Sequence, residues 1–216
     1  MASRPGWPTS SAPNTPKRSA DETLRPGPSG ASARPARVIV MPRRLVTDRL
    51  TLRPPTRDDA SSIWAYASDP VATRYMVWPT HVDRDDVDDH LDDVADGWAA
   101  GDDFAYVIAL NDPGDVVGMV SAQFSDDGVE IGFIVARAHQ RRGIATEAAT
   151  AVMQAVQSLD DVYRIWASCD ADNPASAGVL RGLDMQFEGC LRRRSARPNR
   201  ADVIGPQDDH IYAWVR

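Results

Sequence analysis

The run HQRRGIATEA, His139 to Ala148, sets Gln140, Arg141 and Arg142 directly before Gly143, then continues through Ile144, Ala145 and Thr146. Residue types in that order suit the binding of an anion. At the start of a helix the unpaired backbone N–H groups and the positive dipole end converge, and such a terminus takes up phosphate readily. Gly143 lets the backbone turn tightly and approach a ligand. Thr146 can cap the helix or give its hydroxyl to a phosphate oxygen, and the two arginines supply charge. From these residues alone, a phosphate cradle and an ordinary basic turn between strand and helix fit equally well. Two common phosphate loops are excluded. The chain has no G-x-x-x-x-G-K-[ST], and no G-x-G-x-x-G with an acid about 20 positions on.

Other chemistry-bearing residues are sparse. His81, His90, His139 and His210 share no metal-ligand spacing. The acidic stretch DRDDVDDHLDD, Asp83 to Asp93, lacks the glycine at the sixth position of a calcium loop. No metal is expected. Helical spacing turns most of those aspartates to solvent, where they would form either an ordinary solvated face or a negative rim steering a cationic partner. LRRRSARPNR, Leu191 to Arg200, is strongly basic. It is expected as a flexible, solvated connection between the last two strands, with contact to an acidic peptide or ribosomal RNA as the functional alternative. Cys169 and Cys190 make no disulfide framework and are expected as buried free thiols in a reducing cytoplasm.

The elements that must position these residues follow from hydrophobic period and turn signals. RLVTDRLTLRPP, Arg44 to Pro55, reads as one strand ended by two prolines. Thr56 and Asp59 have capping-box spacing before an apolar face of Ala60, Ile63, Trp64 and Ala67. Val87, Leu91, Val94 and Trp98 mark a second helix, with Gly101 as its stop. Three apolar runs split by NDPGD and SDDG predict an antiparallel meander near Ala105–Leu110, Val116–Gln123 and Val129–Val135. A helix near Thr146–Gln157, a strand in VYRIWASC, a short helix in PASAGVLRGL and the strands MQFEGCLRR and HIYAWVR complete the order β-α-α-β-β-β-α-β-α-β-β. The fold class is α+β.

The chain has 216 residues, 43% hydrophobic and 25% charged, enough for one domain with a substantial core. Residues 1–40 differ. They are rich in Pro, Ser and Arg, and cannot bury enough surface to offset about 1–2 kcal/mol of backbone entropy per residue. A disordered tail is expected there, outside the native protein if translation begins at Met41, with the folded domain over 41–216. The net charge is −7 and the tail is basic, so the folded part is more acidic still. That balance argues against general DNA or RNA binding. No apolar run of membrane-spanning length occurs, and the expected location is the cytoplasm.

Five segments in order carry a resemblance: LVTDRLTLRPPTRDDA, DPVATRYMVWP, EIGFIVARAHQRRGIATEA, CDADNPASAGVLRGLDMQFEG and DDHIYAWV. Together they resemble the GNAT acetyltransferase superfamily, in the branch that acetylates N-termini of ribosomal proteins. The loop QRRGIA is similar to that family's Q/R-x-x-G-x-G/A pyrophosphate loop, with Ala145 where many members have glycine. The resemblance implies a mixed, mostly antiparallel central sheet flanked by helices, and acetyl-CoA as co-substrate. It places the pyrophosphate on the backbone N–H groups of the Gln140–Thr146 loop (Gln140, Arg141, Arg142, Gly143, Ile144, Ala145, Thr146). The pantetheine arm lies along Ile134, Val135 and Ala136, with Asn173 beside it. A backbone N–H near Ile134 would polarise the thioester carbonyl. Many members use a tyrosine as the acid in the helix after the fifth strand; here Ser176 stands instead, with helix capping as its ordinary role. Glu130 is the candidate base, acting through water, with a strand-edge ion pair as the alternative, and Glu188 is a second choice. RYMVWP, Arg74 to Pro79, shapes the acceptor pocket by the same resemblance. The implied partner is an amine acceptor, either a protein N-terminus or a small molecule such as a polyamine or antibiotic. A catalytically weak acetyl-CoA sensor is the other reading, ribosome association a further one. The protein is expected as a monomer or homodimer.

Overall fold

The computed structural model describes residues 39–216. Residues 1–38 of the expected tail lie outside the described residues, and Ile39 already packs against the core.

The first expected strand is two. β1 (Leu45–Val46) and β2 (Leu50–Arg53) form a hairpin in which Leu45 faces Leu52. The break is chemical: the Thr47 hydroxyl accepts the Leu50 N–H at 3.0 Å, and the Thr47 N–H donates to the Leu50 carbonyl at 2.9 Å. A side chain that bonds nearby backbone competes with a continuous ladder. Next, the Asp59 carboxylate accepts the Thr56 N–H at 2.8 Å and pairs with both terminal nitrogens of Arg53 at 2.7 Å. A 3-10 turn at Arg57–Asp59 then runs into α1 (Ala60–Ala67). α2 (Asp85–Ala100) buries Val87, Leu91 and Val94, and Gly101 ends it in the left-handed conformation, φ 78°.

β3 (Asp103–Leu110), β4 (Val116–Ser125) and β5 (Gly128–Val135) are the antiparallel meander. α3 (Ile144–Gln157) crosses over to β6 (Arg164–Asp170), which runs parallel to β5. α4 (Pro174–Gly182), β7 (Gln186–Ser195) and β8 (Gln207–Val215) follow. The eight-stranded sheet has the order β1-β2-β3-β4-β5-β6-β8-β7, and every pair except β5–β6 is antiparallel.

Apolar side chains cover both faces of this sheet. One cluster joins Leu50, Tyr106, Ile108 and Val120 to Val152 and Val156 of α3 and Leu180 of α4. The other joins Val107, Met119 and Ile134 to Ile63 and Tyr66 of α1 and Leu91 of α2. The alternation along β3, β4 and β5 therefore feeds two cores. Each fully buried side chain contributes on the order of 1.5–3 kcal/mol. Among the described residues no helix is long and apolar enough to cross a membrane.

Candidate active site

The parallel junction opens the site. β5 and β6 pair only at Val129↔Ile165 and Glu130↔Trp166. Beyond Glu130 the pairing stops, although β5 runs on to Val135 and β6 to Asp170. The parting opens a cleft of about 970 Å³. Gly118 helps hold β5 on its other side: a Cβ there would sit 2.3 Å from the Ile134 carbonyl oxygen.

Backbone alternation decides which groups face the gap. The Ala136 N–H donates to Val117 of β4 at 2.8 Å, so Ile134, two residues earlier, also turns its polar groups toward β4. Phe133 and Val135 turn theirs toward the gap, and the Val135 carbonyl there accepts Gln140 Nε2 at 3.0 Å. The N–H groups that face the opening thus belong to the neighbours of Ile134.

The loop Gln140–Gly143 closes one end of the cleft. Arg141 has φ 59° and Gly143 φ 76°, so the chain turns through two left-handed residues immediately before α3. Glycine is the residue that holds such a conformation without strain. The N–H groups of Ile144, Ala145 and Thr146 occupy the first turn, where no intrahelical acceptor exists. The β1–β2 turn buttresses this loop. Arg49 donates to the Arg142 carbonyl at 2.9 Å and to Glu147 at 2.6 Å, and the Thr47 hydroxyl reaches Glu147 at 2.5 Å. Burial would raise the Glu147 carboxyl, but those hydrogen bonds together hold it below its ordinary value.

Across the cleft, Asn173 caps α4. Its Oδ1 accepts the Ser176 N–H and its Nδ2 donates to Ser176 Oγ, both at 3.1 Å. Ser176 thus fills its first-turn role while its own hydroxyl proton remains free to be given into the cleft, which it lines.

On the cleft floor, Asp103, Gln123 and Glu130 form one row across β3, β4 and β5. Burial pushes Glu130 up to about 7; the Ser168 hydroxyl, donating at 3.3 Å, and Arg194 oppose the shift, and Asp209 and Asp103 reinforce it. Burial and neighbouring Asp102 push Asp103 up to about 6, against a hydrogen bond from Gln123 at 3.1 Å. The far end of the cleft is apolar and aromatic, with Tyr75, Met76 and Trp78 from the α1–α2 connection. Asn199 of the β7–β8 connection ties that segment down: it accepts the Thr80 N–H at 2.7 Å and donates to the Thr73 and Trp78 carbonyls at 2.8 Å.

Residues 49–186 match the acetyltransferase (GNAT) domain family. The chain belongs to the GNAT acetyltransferase family. N-acetyltransferase p20 of Bacillus licheniformis is 30% identical over 151 residues, 68% of this chain and 85% of that protein. N-acetyltransferase YoaA of Bacillus subtilis is 28% identical over 176 residues, 80% of this chain and 96% of that protein. Among solved structures, a GNAT acetyltransferase from Bacillus anthracis overlays with a TM-score of 0.68 at 21% identity, covering 80% of this chain and 98% of its own. The ribosomal α-N-protein acetyltransferase RimL, solved with coenzyme A, gives 0.69 at 20% identity, covering 79% and 96%. Spermidine N-acetyltransferase from Vibrio cholerae, solved with coenzyme A and spermine, gives 0.65 at 16% identity, covering 78% and 96%. The protein is accordingly an acetyl-CoA-dependent N-acetyltransferase with the GNAT fold.

This cleft has the features that co-substrate requires: a glycine turn into a helix N-terminus at one end, and unpaired strand backbone along the gap. Of the expected site residues, Glu130, Ile134, Val135, Gln140, Arg141, Gly143, Ile144, Ala145, Thr146, Asn173 and Ser176 line it, whereas Ala136 and Arg142 do not. Ala136 is turned to β4, and Arg142 has its carbonyl held by Arg49. Glu188, the second-choice base, sits elsewhere. It is exposed on β7 and pairs with Arg164, whose hydrogen bonds hold its carboxyl below the ordinary value. The basic stretch is not a uniformly solvated loop. Its first part extends β7, and Arg197 and Arg200 are each only 7% exposed, paired with Asp170 and Asp209. Cys169 is buried as expected but Cys190 is exposed. No group of three His, Cys, Asp or Glu residues among the described residues is arranged to hold a metal ion. Sequence reading missed Asp103, which lies between the expected helix stop at Gly101 and the expected strand start near Ala105, and Arg49, whose partner lies 98 residues on.

Proposed function

We propose that this N-acetyltransferase acts on a protein α-amine, with Glu130 taking the proton from the attacking nitrogen through water. The observation that carries the reading is Glu130 itself. It is a carboxylate at the fork of β5 and β6, raised to about 7 by burial. A base is most effective when its pKa lies near the working pH. An α-amine titrates at about 7.7–8.0 and gives up its proton near neutral pH far more readily than an alkylamine at about 10.4.

The chain's residues divide the remaining work. Backbone N–H groups of Arg141–Thr146 bind the pyrophosphate, and the Phe133–Val135 edge aligns the pantetheine arm, with Asn173 opposite. Bound acetyl-CoA supplies an acetyl thioester. The amine nitrogen forms the new C–N bond as the C–S bond breaks; an N–H facing the gap from β5 steadies the carbonyl oxygen. The amine proton passes to Glu130, and Ser176 donates a hydrogen bond toward the departing sulfur. The RimL likeness supports a protein α-amine. Asp93 and Asp103 on the cleft wall support a second reading, a polycationic small amine, to which the spermidine acetyltransferase likeness points. Two free thiols, one of them exposed, suit a reducing cytoplasm.

The test is acetyl-CoA-dependent CoA release across N-terminal peptides, polyamines and aminoglycosides. Turnover confined to peptides is expected, and turnover confined to polyamines would replace the acceptor. Acetyl-CoA binding without turnover on any of them would favour a sensor.

A further inference from the structure

Resting on the acetyltransferase reading and sharpening its acceptor, we infer that Arg197 recognises the first carbonyl oxygen of an α-aminoacyl chain end. Arg197 lies in the β7–β8 connection, lines the cleft, and has a side chain only 3% exposed. Its Nη2 pairs with Asp209 at 2.5 Å and its Nε approaches Asp170 at 3.4 Å. Nη1 is buried with no partner. A buried guanidinium nitrogen left without an acceptor is costly, and of the three nitrogens this is the one for which the protein supplies no acceptor.

Position identifies what it would bind. Ser168, which donates to Glu130, and Asp170, which holds Arg197, are two residues apart on β6 and so share one face. Glu130 of β5 and Arg197 of the β7–β8 connection therefore meet the same face of β6 at neighbouring positions, and both line the cleft. An α-aminoacyl group carries its amine nitrogen and carbonyl oxygen on adjacent carbons, so it can turn the amine toward Glu130 and its bridging water while the carbonyl oxygen turns toward Arg197. Charge selects among oxygen acceptors. Arg197 and Arg200 are balanced by Asp170 and Asp209 in one buried cluster, so Nη1 offers donors without surplus positive charge. A neutral peptide carbonyl suits it better than a carboxylate, which would meet the two aspartates. A polyamine has no oxygen for it at all.

The test compares kcat/KM, corrected for the fraction of free amine, for Ala-Ala-Ala-amide with its trans-alkene isostere, in which CH=CH replaces the first peptide unit, removing that carbonyl and its N–H and leaving an allylic amine of higher pKa. Wild type should prefer the peptide about 10- to 100-fold, mainly through KM, the range of a hydrogen bond to a charged group. In Arg197→Lys, which keeps a cation for Asp170 and Asp209 but loses the fork, the preference should collapse toward unity while calorimetric acetyl-CoA affinity stays unchanged. Equal kcat/KM for the two acceptors in wild type overturns the inference, and that arm needs no variant to fold. So does turnover of polyamines with neither peptide, or a preference undiminished in Arg197→Lys. CoA release with no amine of any class would instead defeat the acetyltransferase reading beneath it.

Discussion

At the scale of the residue, the loop proposed to hold the pyrophosphate offers mainly backbone N–H groups, and its two arginines are not equivalent. Arg141 adopts a left-handed conformation and lines the cleft; Arg142 gives its carbonyl to Arg49 and lies off the cleft wall. Charge reversal should therefore separate them. By calorimetry, Arg141→Glu is expected to weaken acetyl-CoA at least about tenfold, since a hydrogen bond to a charged group is worth on the order of 1.5–3 kcal/mol, and Arg142→Glu to weaken it less. Equal affinity in both variants and wild type would remove the loop from the binding site. This loop was legible in sequence because its chemistry is local: glycine, helix start and cations lie within a few positions. Glu130 was legible through its place on a strand. Asp103 and Arg197 were not, because what defines them is remote. Asp103 gains its meaning from Gln123 across β4, and Arg197 from Asp170, 27 positions earlier.

At the scale of the element, the β1–β2 hairpin is a brace for α3. Period-two alternation over Arg44–Pro55 showed extended chain but not the break, because the Thr47 side chain decides it. That break points Thr47 and Arg49 at Glu147, one turn into α3. The expected cost of Arg49→Ala lies in function more than in stability. Arg49 is half exposed, so its ion pair contributes at most about 1 kcal/mol, and the melting temperature should fall by only a few degrees. Acetyl-CoA affinity should drop several-fold as the Arg142 carbonyl loses its anchor. A large loss of melting temperature with unchanged affinity would show that the hairpin braces the core instead of the loop. The helices and the meander were readable to within a few residues, since capping residues, glycine stops and turn dipeptides mark them directly. The basic stretch was misread for the opposite reason: arginine type announces solvent, and only the folded chain brings Asp170 and Asp209 to Arg197 and Arg200.

At the scale of the whole molecule, the proposed chemistry depends on how the sheet is closed around Glu130. The α1–α2 connection, held by Asn199, covers one side of the cleft, α4 stands on the other, and the two carboxylates on its floor share a poorly solvated space. That arrangement raises the Glu130 pKa above its unfolded value. The folded state consequently binds the proton more tightly, and Glu130's own contribution to stability declines as pH rises from about 4.5 to about 7. With Glu130 as the proposed base, activity is expected to run the other way, because a base must be ionised to accept a proton. The most direct test of the account is the pH dependence of kcat on a peptide acceptor, for wild type and Glu130→Gln. Wild type should show a rising limb with an apparent pKa near 7. Glu130→Gln should lose that limb and about 10²–10⁴ of the rate, while still binding acetyl-CoA. A variant that keeps both the limb and most of the rate would mean that the proton leaves the amine by another route.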